Sequence, residues 1–303
     1  RQVARLRATV RTPADQAVEA EAPWYSGSYH YDPGEHHGPS LSWLTLPALL
    51  ASGAKDLAHS AESDYRIVPA VFGAGLIVLL LLARDGLGRG PAMLAAVFTA
   101  LSPAMVYYSR YYIQETLLVF FTFAAMASGW RYYRSRSLGW AVAVGACVGL
   151  MHATKETWVL AAVAMVLALA LNAAGTRWVW GRGRPAGRGS WAGEPQMPAA
   201  AASEKSPRVL SALRDCFRPA AVLAAVLAGV LVAVLLYSSF GTNLRGPVDS
   251  ILAYATYVRR GSASGIHAHP FSEYLRLLVA FRPARGFFWT EGLIVGLALV
   301  GLA

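Results

Sequence analysis

From Arg66 onward, long apolar runs alternate with short polar breaks. The runs fall at roughly 67–83, 91–108, 113–130, 138–151, 157–173, 219–239 and 289–303. A helix needs ~20 apolar residues to cross a hydrocarbon core of ~30 Å, so the shorter runs are expected to extend into their flanks. Tyr107, Tyr108, Tyr111, Tyr112, Trp130, Tyr132 and Tyr133 stand at such flanks, where aromatic residues favour the membrane–water boundary. Ser40–Ser52 is apolar but too short to span. With Trp43 and Pro47 inside it, it reads as a helix lying at the interface. The first 40 residues are polar, and Asp15, Glu19 and Glu21 lie among them.

This pattern predicts an all-α, polytopic membrane helix bundle. Composition agrees: 55% of residues are hydrophobic and 15% charged, with mean hydropathy +0.40. The net charge of +10 is read as loop charge of a membrane protein and not as a nucleic-acid surface. Cys147 in an apolar run and Cys216 in a basic loop give no reason to expect a disulfide. The first residue is Arg and the last run stops at Ala303, so the chain reads as a fragment of a longer protein.

Orientation follows from the short loops. Arg84 and Arg89, then Arg131, Arg134 and Arg136, then the arginine-rich stretch 174–218 all fall on one side by counting spans. The positive-inside rule makes that side cytoplasmic and the protein a multi-pass component of the plasma (inner) membrane. Four regions result. Residues 1–66 form an outer-face loop with the interfacial helix, and 67–173 a five-span core. Residues 174–218 form a basic, disordered cytoplasmic loop. Residues 219–303 supply further spans around an outer loop at 240–288, which also holds six arginines.

The polar groups then gather outside. Tyr29–Pro39 reads Tyr-His-Tyr-Asp-Pro-Gly-Glu-His-His-Gly-Pro, a loop by its prolines and glycines. His30, Asp32, Glu35, His36 and His37 could bind a divalent metal, but the spacing matches no standard zinc motif, and the histidines could equally shape a turn. His267 and His269 read as solvated loop residues. Glu115 opens the third span and is a candidate because an ionisable group at a span end is costly to bury; a Glu115–Arg110 pair that finishes the helix is the alternative. Lys155 and Glu156 lie in a turn between two spans. Lys155 could hold a phosphate, or the two could form a surface pair.

Five motifs in order resemble a known family. They are Arg-Thr-Pro-Ala-Asp-Gln-Ala-Val at 11–18, Tyr-x-Tyr-Asp-Pro-x-x-His-His-Gly-Pro-x-Leu at 29–41, Arg-Ile-Val-Pro-Ala-Val-Phe-Gly from Arg66, Ser-Arg-Tyr-Tyr-Ile-Gln-Glu from Ser109, and Ala-Thr-Lys-Glu-Thr from Ala153. Together they resemble the flippase-activity-associated membrane proteins of archaeal N-glycosylation. That group belongs to the GT-C superfamily, near the dolichyl-phosphate-mannose–protein mannosyltransferases. The resemblance covers about residues 5 to 172. It implies acidic site residues in the first and second outer loops, which are Asp15 and Glu115 here. Gln16 stands where the family has Glu.

The resemblance implies an inverting glycosyltransferase using a polyprenyl-phosphate sugar. Asp15 and Glu115 would be catalytic, with Asp15 taking the acceptor proton. Asp32, His36, His37, Arg110, Lys155 and Glu156 would meet the substrates, with Lys155 or Arg110 facing the lipid phosphate. The second reading is a non-catalytic protein that assists flipping of lipid-linked oligosaccharide, with membrane lipid around it and no nucleic acid as partner.

Overall fold

The structure is a computed structural model that describes residues 31, 37–54, 59–181, 218–261, 271–280 and 290–302. Among these residues every regular element is helical. In chain order they are α1 (Ser40–Ser52), α2 (Glu62–Leu82), α3 (Arg84–Leu87), α4 (Arg89–Leu101), α5 (Pro103–Ser109), α6 (Glu115–Ser135), α7 (Leu138–His152), α8 (Trp158–Gly181), α9 (Pro219–Tyr237), α10 (Gly246–Gly261), α11 (Phe271–Val279) and α12 (Gly292–Leu302).

Helices α2 and α9 are each long and apolar enough to cross a membrane. The run expected as one span at 91–108 is two helices, α4 and α5, bent by 62° and able to cross as a pair. The break has a local cause. Ser102 leaves helical geometry, its hydroxyl accepts the Met105 N–H at 3.2 Å, and Pro103 begins the next helix. Helices α1 and α7, together with Trp158–Leu171 of α8, are apolar but shorter. Among the described residues, two helices, or three with the bent pair, meet length and composition together, against seven spans expected from the sequence. Helix α8 also continues to Gly181, so the first residues of the stretch expected to be a disordered loop from 174 are helical.

The core lies where α1, α2, α6 and α7 meet. Leu41, Val68, Leu117, Phe121, Ala125 and Met151 form it, with Phe72 packed edge-on against both Phe120 and Phe121. Helix α1 thus buries Leu41, Thr45 and Leu49 in the bundle, the part of it that composition alone does not reveal. Outward, the large apolar residues are bare. Leu160, Val166 and Leu171 of α8 and Leu223, Leu227 and Leu231 of α9 are exposed. A stripe of that kind suits hydrocarbon and not water.

Helices α7 and α9 cross in backbone contact. A Cβ added to Gly145 would lie 1.8 Å from the Ala225 carbonyl oxygen. Small residues four apart permit this approach, as in many membrane helix pairs.

The two ends of the bundle differ. At one, Arg131 donates to the Leu82 carbonyl at 2.9 Å, and Arg131 and Arg134 each reach Asp85 at 3.6 Å. This end holds the short basic loops. The starts of α2, α6 and α8 and the end of α7 lie at the other.

Candidate functional site

The turn from Ala153 to Thr157 organises the second end. His37-Gly38-Pro39 docks onto it through main chain: the Gly38 N–H donates to the Thr154 carbonyl at 3.2 Å and the Ser40 N–H to the Ala153 carbonyl at 2.9 Å. The Ser40 and Thr154 hydroxyls meet at 2.8 Å, and both residues are fully buried. A Cβ on Gly38 would lie 2.1 Å from the Ala153 carbonyl oxygen, so no larger residue fits. This clamp fixes His37 on one side of the turn and Glu156 on the other. The His37 Nδ1–H faces Glu156 Oε2 at 3.4 Å. The Glu156 side chain is 4% exposed and that of His37 40%.

Lys155 turns the other way, and its Nζ lies 2.5 Å from Glu115 Oε1 at the first turn of α6. The pair expected as an alternative between Glu115 and Arg110 is therefore not what holds Glu115. Nor do Lys155 and Glu156 pair with each other on the surface. Among the described residues, Glu115 Oε2 and Glu156 Oε1 are buried and lack a hydrogen-bond partner. Buried carboxylate oxygens in that state are positioned to accept hydrogen bonds. Arg110, exposed, lies just before Glu115 beside the exposed rings of Tyr107, Tyr108 and Tyr111. The Tyr112 hydroxyl meets that of Thr45 at 2.9 Å, and burial pushes its ionisation up more than this bond lowers it.

A second cluster, which the sequence reading did not single out, sits beside the turn. The Trp158 Nε1–H donates to the Tyr254 hydroxyl at 2.6 Å, and Ser250 donates to the Pro247 carbonyl at 2.7 Å. With those hydrogens committed, Tyr254 donates to His152 Nδ1 at 3.3 Å and Ser250 accepts from His152 Nε2 at 3.4 Å. Neutral His152 therefore closes the chain and ties α10 to the ends of α7 and α8. Burial pushes the Tyr254 hydroxyl up, which keeps it a neutral donor. Tyr237 donates to the His152 carbonyl at 2.9 Å and packs edge-on against buried Tyr31. The one available sequence signal was position: His152 directly precedes Ala-Thr-Lys-Glu-Thr.

Of the expected site residues, the structure brings together His37, Glu115, Lys155 and Glu156 and places Arg110 at the same end. Asp15, Asp32 and His36 lie outside the described residues, as do His30, Glu35, His267 and His269. Among the described residues no three histidine, cysteine or acidic side chains form a group that could hold a metal ion. Each of Glu115, Glu156 and His37 is instead engaged by its own partner.

An all-α membrane helix bundle with Glu115–Lys155 and His37–Glu156 paired around one turn defines the class. A family model, dolichyl-phosphate-mannose-protein mannosyltransferase, matches residues 37–183, just under half of the chain. The match runs from His37 across the whole Glu115, Lys155 and Glu156 constellation, and it supports a membrane glycosyltransferase of the GT-C type. No curated protein and no solved structure matches.

Proposed function

We propose that the chain is the membrane part of a glycosyltransferase that takes a sugar from a polyprenyl-phosphate carrier and gives it to an acceptor on the outer face. The observation that carries this reading is the pairing of Glu115 with Lys155 and of Glu156 with His37 around one turn. The pairing falls inside the region that matches a lipid-linked mannosyltransferase family. A lipid-linked donor also suits the wall of exposed apolar residues, along which its hydrocarbon tail can lie.

The roles follow from the chemistry. The acceptor hydroxyl must lose a proton as it attacks the anomeric carbon, and Asp15 takes that proton. Lys155 holds the Glu115 carboxylate at the mouth of α6, where the buried Oε2 accepts from substrate hydroxyls. Arg110, exposed at the same end, offers fixed positive charge to the lipid phosphate. Asp32 and His36, which precede His37 in the sequence, supply further substrate contacts.

The test is Asp15→Asn in the full-length protein. Sugar transfer from a polyprenyl-phosphate sugar should be abolished while the protein reaches the membrane at its normal level. Full transfer by that variant would remove Asp15 from the reaction. Lipid-linked oligosaccharide movement without any transfer by the native protein would favour the flipping-associated reading.

A further inference from the structure

We infer that α10 lies in the membrane surface on the site's side of the bundle and moors the turn carrying Lys155 and Glu156 to the lipid. This role needs no sugar transfer and so goes beyond the function proposed above.

Residues 240–288 are expected from the sequence to form an outer loop, yet Gly246–Gly261 is a helix of 16 residues. Its polar groups point inward. Ser250 is buried and Tyr254 half-buried, and both bond to His152 at the end of α7. Tyr254 also accepts from Trp158 at the start of α8. Gly246 and Ala253 are buried with them. The outward side is apolar. Leu244, just before the helix, is 82% exposed, and Val248, Ile251 and Leu252 are more than half exposed. At about 3.6 residues per turn these residues and exposed Ala255 share one side. Arg245 is the charged residue at its edge, exposed and paired with Asp249 at 3.3 Å. A helix facing water has the opposite arrangement, so this side calls for an apolar neighbour.

Three relationships make that neighbour lipid. First, α10 crosses the end of the bundle, because Ser250 and Tyr254, one turn apart, both reach the last residue of α7. A helix in that position lies at the boundary of headgroups and acyl chains. Second, the bare apolar series of the spanning helix α9 runs on into α10. Val234, Leu235 and Phe240 are exposed, and no charged residue lies between Val234 and Leu244. The connection is closed: the Asn243 N–H donates to the Ser238 carbonyl at 2.7 Å, and the Gly246 N–H to Asn243 Oδ1 at 3.1 Å. A Cβ on Gly246 would lie 2.0 Å from the Tyr237 carbonyl oxygen, so α10 is held against the end of α9. Third, aromatic rings gather at this level. Trp158 bonds to Tyr254, and Trp43 packs edge-on against Phe240 at 4.8 Å. Such rings favour the membrane–water boundary, and an arginine stem at the edge of an apolar face carries its charge to the phosphates.

The inner side of α10 completes the link to the site. His152 and Trp158 stand immediately before and after the Ala153–Thr157 turn, and α10 bonds to both. With its outer side in lipid, the helix holds that turn at the membrane surface.

The experiment uses the full-length protein with Cys147 and Cys216 replaced by Ser, in vesicles of phosphatidylcholine and phosphatidylglycerol. Val248→Cys, Ile251→Cys and Arg245→Cys each carry a nitroxide label. At 248 and 251 the label should collide more with oxygen, which concentrates in hydrocarbon, than with a water-soluble nickel complex. At 245 that preference should reverse. Preference for nickel at 248 and 251 would put α10 in water and overturn the inference. Shielding from both reagents would mean that another protein segment or a second copy covers the face, and would overturn it equally. The mooring has its own readout. Ile251→Asp should quicken amide exchange at 153–157 severalfold relative to Ile251→Leu, with exchange in the middle of α2 unchanged. Unmoved exchange at 153–157 would sever the turn from the lipid contact. Should Ile251→Asp not accumulate in the membrane, Ile251→Ser is read in the same way. None of these measurements uses sugar transfer, so failure of the proposed function leaves their outcome intact.

Discussion

Gly149 and Gly229 cross with only backbone between them. A Cβ added to Gly149 would lie 2.4 Å from the Gly229 carbonyl oxygen. That atom belongs to a helix and cannot swing aside as a side chain would, so the helices themselves must separate. Gly149→Val should therefore destabilise the protein by about 1–3 kcal/mol or more through overpacking. Gly90→Ala is the control, because a Cβ there meets nothing within 4 Å. Thermal melting in detergent should separate the two variants clearly, and equal midpoints would contradict the crossing.

Lys155 and Glu115 lie at one end of the bundle with side chains 19% and 37% exposed. Water reaches part of the pair, so its coupling belongs near the value for exposed pairs, about 1 kcal/mol or less. A double-mutant cycle over Lys155→Gln and Glu115→Gln should return a favourable coupling of that size that weakens as salt is added. Zero coupling at low salt would mean that Lys155 does not hold Glu115 in solution.

Tyr254→Phe removes one oxygen and strands two groups. The Trp158 Nε1–H loses its acceptor and His152 Nδ1 loses its donor. Both groups are half-buried, so the expected cost is about 1 kcal/mol for each, the low end of the range for an unsatisfied buried group. Amide exchange along α10 should quicken, because its tie to α7 and α8 is cut. Acidification should have the same effect, since the imidazolium places a second hydrogen against Tyr254. Native protection of α10 in Tyr254→Phe would show that other contacts hold the helix.

The two ends of the bundle should face opposite sides of the membrane. In a protein with Cys147 and Cys216 replaced by Ser, Ser63→Cys at the start of α2 should react with an impermeant reagent from outside intact cells. Ser190→Cys, beyond the end of α8, should react only after the membrane is opened. Prompt outside labelling of Ser190→Cys would invert the orientation inferred from Arg84, Arg89, Arg131 and Arg134.

Much of the helical framework was readable because apolar runs report burial in lipid as directly as burial in protein. The bounds of α1 and the existence of α2, α6, α7 and α9 follow from such runs. The bend at Ser102 was not readable: a serine and a proline within an apolar run are each tolerated in a membrane helix, and the carboxylate that satisfies the opened turn lies far along the chain. The pairing of charges was half readable. Motif order pointed to Glu115, Lys155, Glu156 and His37, yet partner choice depends on which way the 153–157 turn directs its side chains. Lys155 and Glu156 are adjacent in sequence and end up with different partners. His152 was missed because its role comes from Ser250 and Tyr254, about one hundred positions away.

The carboxylate at the bend is Glu291, just before α12. Its Oε1 accepts from the Ser102 hydroxyl and from the Ala104 N–H, each at 2.8 Å. Ser102 and Glu291 are 189 residues apart. A ribosome making 5–20 residues per second needs roughly 10–40 s to cover that distance. Throughout this interval α4 and α5 are already made, while the group that satisfies the break between them does not yet exist. The nascent bundle must therefore wait with an open joint at Ser102. Only the arrival of the last described helix can close it.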